Sequence, residues 1–158
     1  MTTALDHATS LYLHGIRDGQ PRAAMAAHTG HRYTQHSTGV SDGKEGFVAF
    51  FDGFLARNPV RDIRVLRGWQ DGRHVFLHVF QSLNHGEFEY VTADFFDSDE
   101  DERIIEHWDV IAELAGRTPS GHTEIDGATE VTDLHKTEEN KALVRAMLET
   151  CRFRGARG

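Results

Sequence analysis

The chain has 158 residues, of which 39% are hydrophobic and 27% charged, and its formal net charge at pH 7 is -8. These values are typical of one folded globular domain and argue against a nucleic-acid-binding protein, which usually has a basic surface. No apolar run approaches the roughly 20 residues that cross a bilayer, and the N-terminus lacks the features of a signal peptide. A cytoplasmic protein without membrane contact is therefore expected, and the single cysteine, Cys151, excludes an internal disulfide.

The first third of the chain has the periodicity of amphipathic helices. Residues 3–17 repeat apolar side chains at helical spacing, with Thr3 as a candidate N-cap. Pro21 suits the first turn of a short second helix, and residues 47–55 give a third helix with a strongly apolar, aromatic face. The segment between the second and third helices, residues 33–36, is predicted to be a loop.

From residue 63 onward the pattern changes to the alternation that is typical of strands. Four strands are predicted, at residues 63–70, 74–83, 88–96 and 103–112. Three helices followed by an antiparallel meander predict an α+β fold, with the helices packed on one face of a curved sheet. Residues 1–115 are therefore interpreted as a pocket domain. Residues 116–158 are interpreted as a linker followed by a C-terminal helix that starts near Thr137.

Three polar residues interrupt the apolar pattern of the last two strands, namely Asp94, His107 and Asp109. A carboxylate or an imidazole on the buried face of a sheet loses hydration and needs a partner or a shifted pKa. Several such residues on adjacent strands are typical of a small-molecule pocket. Asp94, His107 and Asp109 are therefore the candidate catalytic residues.

Strand alternation predicts which side chains share a face with these three residues. His107 and Asp109 lie on one face of the last strand, and Trp108 lies on the other. One self-consistent arrangement places an aromatic cavity on the concave face, although an exposed position on an open sheet is an equal alternative for His78. The predicted ligand-binding residues are Phe76, His78, Phe80 and Phe96 on the strands, Phe51 on the third helix, and Tyr33 and His36 near the pocket mouth.

No metal ion or cofactor is expected from the sequence. The three histidines of residues 28–36 do not have a recognised ligand spacing and straddle a helix end and a loop. The acidic residues of 97–101 have the spacing that opens a calcium-binding loop. That loop would need a glycine at its sharp turn and a glutamate where Trp108 stands, so a solvated hairpin turn is favoured.

Two segments resemble a known family: YTQHS…DGKEGFVAFF at residues 33–51 and ADFFDSDEDERIIEHWDVI at residues 93–111. They are similar to the SnoaL-like proteins, in the group named as predicted aldol-condensation enzymes, within the nuclear transport factor 2-like superfamily. The resemblance covers about residues 5–115. It implies a cone-shaped α+β fold with a deep pocket, and a homodimer that forms through the convex face of the sheet.

The resemblance also implies a type of chemistry. In the polyketide cyclases of this family, a pocket aspartate is the general acid/base of an aldol ring closure that uses no metal or cofactor. Asp94 and Asp109 are the two positions that match such a role, with His107 or His36 assisting. The tail segment DLHKTEENKALVRAML, residues 133–148, resembles the linker and first helix of a second copy, which some members carry in tandem.

Three functions follow as hypotheses. The first is a lyase- or isomerase-type enzyme that acts on a small apolar carbonyl compound. The second is a non-catalytic protein that binds a small hydrophobic molecule. The third is an epoxide-hydrolase-like hydrolase, which ranks lower because no arginine shares the proposed pocket face. A homodimer is expected because the convex face would expose an apolar patch, formed by Val75, Leu77, Val79, Val91, Phe95 and Trp108.

Overall fold

The computed structural model describes residues 1–154, and the side chains of residues 1–151. It contains two compact units, Met1–Gly127 and Ala128–Gly158. The helices are α1 (Ala4–Ser10), α2 (Pro21–His28), α3 (Gly43–Arg57) and α4 (Thr137–Arg154). The strands are β1 (Thr29–Gln35), β2 (Arg61–Asp71), β3 (His74–Leu83), β4 (Phe88–Ser98) and β5 (Ile104–Glu113).

The first helix starts at the residue that the sequence predicted. The Oγ1 of Thr3 accepts a hydrogen bond from the backbone N–H of Asp6, and the carboxylate of Asp6 accepts one from the backbone N–H of Thr3. This capping box satisfies two amide groups that have no partner within the helix. The helix then widens into a π-helical segment, Leu11–Arg17, a rare geometry that is frequent at functional sites. That segment carries Tyr12 into the buried core.

The five strands form one sheet in the order β1-β5-β4-β3-β2. The predicted antiparallel meander of four strands is confirmed as β2 to β5. The fifth strand, β1, was predicted as a helix end and a loop, and this prediction was wrong. It pairs in parallel with β5, with Gln35 beside His107. The missed strand therefore brings a new set of side chains to the candidate site.

The register of β3 shows that its predicted face was wrong. Leu77 lies opposite Asp94, and Val75 lies opposite Phe96, so Val75 and Leu77 share the concave face with the candidate site. Three residues that were predicted to face the pocket lie on the convex face instead: Phe76, His78 and Phe80. The sequence of β3 is apolar at both parities, and alternation therefore could not select the buried face.

The core lies between the helices and the concave face of the sheet. Its members are chiefly Leu11, Tyr12 and Ile16 from the π-helical segment, Ala24 and Met25 from α2, Phe47 and Val48 from α3, and Val75, Leu77 and Val79 from β3. Helix α1 approaches the backbone of β2 closely at Gly68, where an added Cβ would lie 2.9 Å from side-chain atoms of both Leu5 and Leu77. Glycine is therefore the residue that permits this packing.

The convex face exposes a different apolar set from the predicted one. Val75, Leu77 and Val79 are buried in the core and Val91 is buried as well, so four of the six residues of the predicted patch are not exposed. The exposed convex residues are Trp69 at 47%, Phe95 at 50%, Trp108 at 38% and Val110 at 68%. The position of Trp108 on the face opposite His107 agrees with the alternation prediction.

The second unit contains a 3-10 turn, Leu134–Lys136, followed by α4. The predicted C-terminal helix and its start at Thr137 are confirmed. Its apolar stripe is more than half exposed at every one of the following positions: Leu143, Val144, Met147 and Leu148. Among the described residues, the helices are too short or too polar to cross a membrane.

Candidate functional site

A small cavity lies between the helices and the concave face of the sheet. It is about 70 Å³ in volume, within about 540 Å³ of space between atoms when the open mouth is included. The lining is mostly apolar and aromatic, as in typical ligand pockets, with a few polar groups. The lining residues are Leu11, Tyr12, Ile16, Tyr33, Gln35, Ser37, Val40, Phe47, Phe50, Phe51, Gln81, Phe96, His107, Asp109 and Ile111.

Asp94 lies behind the cavity wall and is 0% exposed. The hydroxyl of Tyr12 donates a hydrogen bond to its Oδ1 at 2.6 Å, and the hydroxyl of Thr92 donates one to its Oδ2 at 2.5 Å. The Nε2 of His107 lies 3.0 Å from the same Oδ1. Burial and the nearby charge of Asp94 raise the pKa of Tyr12, so this hydroxyl stays a donor at neutral pH. The carboxyl group of Asp94 therefore makes three hydrogen bonds within the protein and does not line the cavity.

The side-chain oxygen of Gln35 indicates which ring nitrogen of His107 carries a proton. Its side-chain oxygen accepts from the backbone N–H of Ser37 at 3.1 Å and lies 2.9 Å from the Nδ1 of His107. Because that oxygen can only accept, Nδ1 carries a proton. The Nε2 of His107 shares the second proton with Asp94. Tyr12 and Thr92 also donate to Asp94, so the carboxyl group of Asp94 lies at the centre of a continuous hydrogen-bond network.

Asp109 is the carboxylate that borders the cavity. It lies opposite Asp94 in the register of β4 and β5, and it is half-buried. Within the described part of the chain, no side chain or backbone group forms a hydrogen bond or ion pair with its carboxylate. Its oxygen atoms are therefore free to contact a bound molecule, and the ring of His107 borders the same cavity.

Asp94, His107 and Asp109 also have the residue types of a metal site, and their ligand atoms lie within 4.8 Å of one another. A metal ion needs lone pairs from these atoms. Both ring nitrogens of His107 are occupied by hydrogen bonds, and Asp94 already accepts three. The arrangement fits a proton-holding network better than it fits a metal centre.

Tyr33 forms part of the aromatic side of the cavity. Its ring meets Phe47 edge to face, with 6.0 Å between ring centroids. Its hydroxyl oxygen accepts a hydrogen bond from the side-chain amide of Gln35 at 3.4 Å. Burial and the charges of Asp94 and Asp109 raise the pKa of Tyr33, so its hydroxyl is protonated at neutral pH.

The structure brings together six of the ten residues that the sequence singled out. Tyr33, Phe51, Phe96, His107 and Asp109 line the cavity, and Asp94 lies directly behind it. The ring of Phe96 stacks on His107 with 4.6 Å between centroids. The other four residues are outside the cavity: His36, His78, Phe76 and Phe80.

The two displaced histidines have partners elsewhere. His36 stacks on Trp108, with 4.9 Å between ring centroids, and its Nε2 lies 2.8 Å from the carboxylate of Glu106. The guanidinium of Arg67 donates to the Nδ1 of His78 at 3.0 Å. Burial and the charge of Arg67 lower the pKa of His78. Neither histidine can assist chemistry in the cavity from these positions.

Sequence reasoning missed four polar residues of the cavity lining, namely Tyr12, Gln35, Ser37 and Gln81. Tyr12 was part of a helical apolar stripe, where an aromatic residue normally indicates only core packing. Gln35 had no signal because its strand was not predicted. Gln81 shares the parity of Leu77, so the correct face of β3 would have revealed it.

No family model matches the chain, and no curated protein matches it. Several solved structures match the chain by their fold. A proposed polyketide cyclase from Bacillus cereus ATCC 10987 is 14% identical, with a TM-score of 0.59 over 68% of this chain and 73% of that chain. IdmH, a proposed polyketide cyclase from Streptomyces antibioticus, is 16% identical, with a TM-score of 0.56 over 68% and 91%.

A third solved structure carries a different activity in its name. It is an LEH-like epoxide hydrolase from M. tuberculosis, 17% identical, with a TM-score of 0.54 over 69% of this chain and 82% of that chain. At such identities the likeness concerns the fold and not the reaction. The helices, the curved five-stranded sheet and these structural neighbours together show that the chain has the nuclear transport factor 2-like fold of the SnoaL-like proteins, as its sequence resemblance implied.

Proposed function

We propose that this protein is a cofactor-independent general acid/base enzyme that acts on a small apolar carbonyl compound. The observation that supports this most directly is Asp109, a cavity-lining carboxylate whose oxygen atoms have no hydrogen-bond partner among the described residues. The pattern of polar residues in β4 and β5 left Asp94 and Asp109 as equal candidates for the base. The hydrogen bonds of Asp94 favour Asp109, because the oxygen atoms of Asp94 are occupied while Asp109 borders the cavity.

The proposed reaction begins when Asp109 removes a proton from the carbon next to a carbonyl group. The C–H bond breaks, its electron pair forms the C=C bond of an enolate, and the negative charge moves to the carbonyl oxygen. In an aldol condensation, the enolate carbon then forms a C–C bond with a second carbonyl carbon, and the resulting alkoxide takes the proton from Asp109. In an isomerisation, Asp109 returns the proton to a different carbon.

The cavity walls support this role for Asp109. Phe47, Phe50 and Phe51 of α3 cover the cavity on one side, so a bound apolar molecule would displace water from the carboxylate. The loss of water strengthens the electrostatic interactions between a carboxylate and a bound substrate. The structural neighbours include proposed cyclases, a proposed hydroxylase and an epoxide hydrolase, which supports an enzyme-like pocket without indicating one reaction.

The test is an exchange of α-protons for deuterium, followed by NMR in heavy water with phenylacetone and ethyl acetoacetate as probes. We expect the wild type to accelerate exchange and Asp109→Asn to lower the rate by at least about 100-fold. Asp62→Asn is a matched control, because Asp62 lies on the surface in an exposed pair with Arg64. Equal exchange rates for the wild type and Asp109→Asn would overturn the proposal.

A non-catalytic ligand-binding protein is the second candidate, and the small apolar cavity favours it. It predicts that hydrophobic molecules raise the melting temperature without any product, and that Asp109→Asn leaves their affinity unchanged. An epoxide hydrolase ranks third. That chemistry commonly places an arginine between two carboxylates, and the described residues that line this cavity include no arginine.

A further inference from the structure

The proposed reaction creates a negative charge on the substrate oxygen, and that charge needs a hydrogen-bond donor in the cavity. The sequence suggested that histidines provide it. In the structure, however, both ring nitrogens of His107 are occupied, by Gln35 and by Asp94. His36 and His78 lie outside the cavity with other partners. The donor must therefore be another residue.

Tyr33 has the properties that such a donor requires. It lines the cavity, and its side chain is only 5% exposed. Among the described residues, its hydroxyl makes one hydrogen bond, in which the oxygen accepts from the amide nitrogen of Gln35. Its own proton is consequently left to donate to a bound molecule. The hydroxyl of Tyr12, the other tyrosine of the cavity, already donates to Asp94.

Tyr33 is also the end of a directed chain of hydrogen bonds. His107 donates from Nε2 to Asp94 at 3.0 Å and from Nδ1 to the Gln35 oxygen at 2.9 Å. The Gln35 amide nitrogen then donates to the Tyr33 oxygen at 3.4 Å. This last bond is long, as hydrogen bonds at an unliganded site often are before a transition state tightens them.

The direction of the chain makes Tyr33 a better donor. An amide whose oxygen accepts a proton from an imidazolium becomes a stronger donor at its nitrogen. A hydroxyl whose oxygen accepts a hydrogen bond likewise donates more strongly through its own proton. The hydrogen bonds that His107 donates therefore favour negative charge at the far end of the chain, although both ring nitrogens of His107 are already occupied.

We propose that Tyr33 is the catalytic residue that donates a hydrogen bond to the enolate oxygen, and that Gln35 is a positioning residue that connects it to the Asp94–His107 ion pair. This inference rests on the proposed function and adds a second catalytic group to Asp109. The raised pKa of Tyr33 supports it, because a hydroxyl that remains neutral keeps its proton to donate.

The probe for this proposal is 4-nitrophenol, used at a pH at which it is ionised. Its phenolate oxygen resembles a planar enolate, and its absorption moves to shorter wavelength when that oxygen accepts a hydrogen bond. We expect the wild type to bind the phenolate with such a spectral shift. Tyr33→Phe should weaken the affinity by at least about tenfold and remove the shift, because a hydrogen bond to a charged group is lost.

Two further variants separate the roles of the cavity residues. Asp109→Asn should bind the phenolate at least as tightly as the wild type does, because it removes a like charge beside the probe. Tyr90→Phe is the matched control, since Tyr90 is a half-buried tyrosine of β4 outside the cavity lining. We expect it to leave both the affinity and the spectrum unchanged.

Gln35→Glu tests the positioning role. A carboxylate at this position still accepts from His107 and Ser37, but it cannot donate to Tyr33. We expect the absorption of the bound phenolate at saturation to move toward that of Tyr33→Phe. A purely structural role for Gln35 would change the amount of probe bound and leave the spectrum of the bound form unchanged.

The outcomes distinguish this inference from the proposed function. Wild-type affinity and spectrum in Tyr33→Phe would overturn the role of Tyr33, even if deuterium exchange through Asp109 is observed. Failure of the wild type to bind the phenolate would also overturn it. If the phenolate results are as expected and the wild type does not accelerate deuterium exchange, the acid/base function fails and Tyr33 stands as an anion-binding residue.

Discussion

Gln35 and His107 lie beside each other on the parallel strands β1 and β5, and the Gln35 side-chain oxygen is 2.9 Å from the Nδ1 of His107. Through this pairing, strand β1 contributes Gln35 to the candidate site. The Gln35 oxygen also accepts a hydrogen bond from the backbone N–H of Ser37, which identifies it as the oxygen of the amide. The Nδ1 of His107 must therefore carry the proton of their hydrogen bond. A neutral amide outside the buried Asp94–His107 pair therefore holds the Nδ1 proton of His107 in place.

The stability of the protein should depend strongly on Asp94. We expect the proton between Asp94 and His107 to lie on His107, so that Asp94→Asn leaves a buried imidazolium without its counter-charge. Removing one partner of a buried ion pair typically costs about 3 to 5 kcal/mol. We expect urea denaturation to show a loss of free energy of unfolding in this range. Asp62→Asn, at an exposed position, should stay within about 0.5 kcal/mol of the wild type.

The contrast between these two variants is the test. A loss below about 1 kcal/mol for Asp94→Asn would mean that His107 is neutral in the folded state, because a neutral ring loses only one ordinary hydrogen bond. That result would contradict the imidazolium assignment and, with it, the polarised chain to Tyr33.

The fold was largely predictable from the sequence, and the candidate site only in part. Strands β2 to β5 are local hairpins with clear turns, so their existence followed from pattern alone. Strand β1 has the sequence Thr-Gly-His-Arg-Tyr-Thr-Gln and forms through a parallel pairing with β5, about 70 residues away. A single-sequence pattern contains no sign of such a distant partner.

The face of β3 was not predictable for a different reason. Phe76 and Phe80 are as apolar as Val75 and Leu77, and the whole strand reads as continuously apolar. The convex face holds Phe76 against Trp69 and Phe95, with ring centroids 4.4 Å and 5.0 Å apart, so both faces of the strand are packed. Alternation identifies a buried face only where the other face is polar.

The protein should lose stability as the pH falls below neutral, because of two histidines at the junction of α1 and α2. The Nδ1 atoms of His7 and His28 are 3.0 Å apart. Burial lowers the pKa of both, and the charge of Arg103 lowers them further, while acidic neighbours of His7 act in the opposite direction. Their unfolded forms titrate near pH 6.5, so the unfolded chain takes up protons first as the pH falls.

The expected result is a free energy of unfolding that decreases from about pH 7.5 to about pH 5.5, with the loss from these residues ending below their lowered pKa values. His28→Gln should reduce this slope. His31→Gln, at an exposed position of β1, is the control and should leave the slope as in the wild type. An unchanged slope in His28→Gln would contradict the role of this pair.

We propose that the protein forms a homodimer through its convex face, as the sequence predicted, but with a corrected set of residues. Trp69, Phe95, Trp108 and Val110 are exposed there and form an apolar patch of the kind that marks an interface. Sedimentation velocity at micromolar concentration should show a dimer for the wild type and a monomer for Phe95→Glu. Phe88→Glu changes an equally exposed phenylalanine at the opposite parity of β4 and should remain dimeric. A monomeric wild type would refute the proposal.

The size of the ligand should be limited by Phe51 of α3. Phe51 lines the cavity and packs against Phe47 and Phe54, with ring centroids 4.3 Å and 5.6 Å apart. A cavity of about 70 Å³ favours a single aromatic ring over a fused pair. Phe51→Leu removes volume at the wall and should therefore raise the affinity for 2-naphthol relative to 4-nitrophenol by about tenfold.

The matched control for this prediction is Phe54→Leu. Phe54 lies on the same helix and packs against Phe51, but it does not line the cavity. The same loss of volume at Phe54 should lower the stability without changing the ratio of the two dissociation constants. If the ratio is equal in the wild type and Phe51→Leu, the wall formed by α3 does not limit the size of the ligand, and the prediction is wrong.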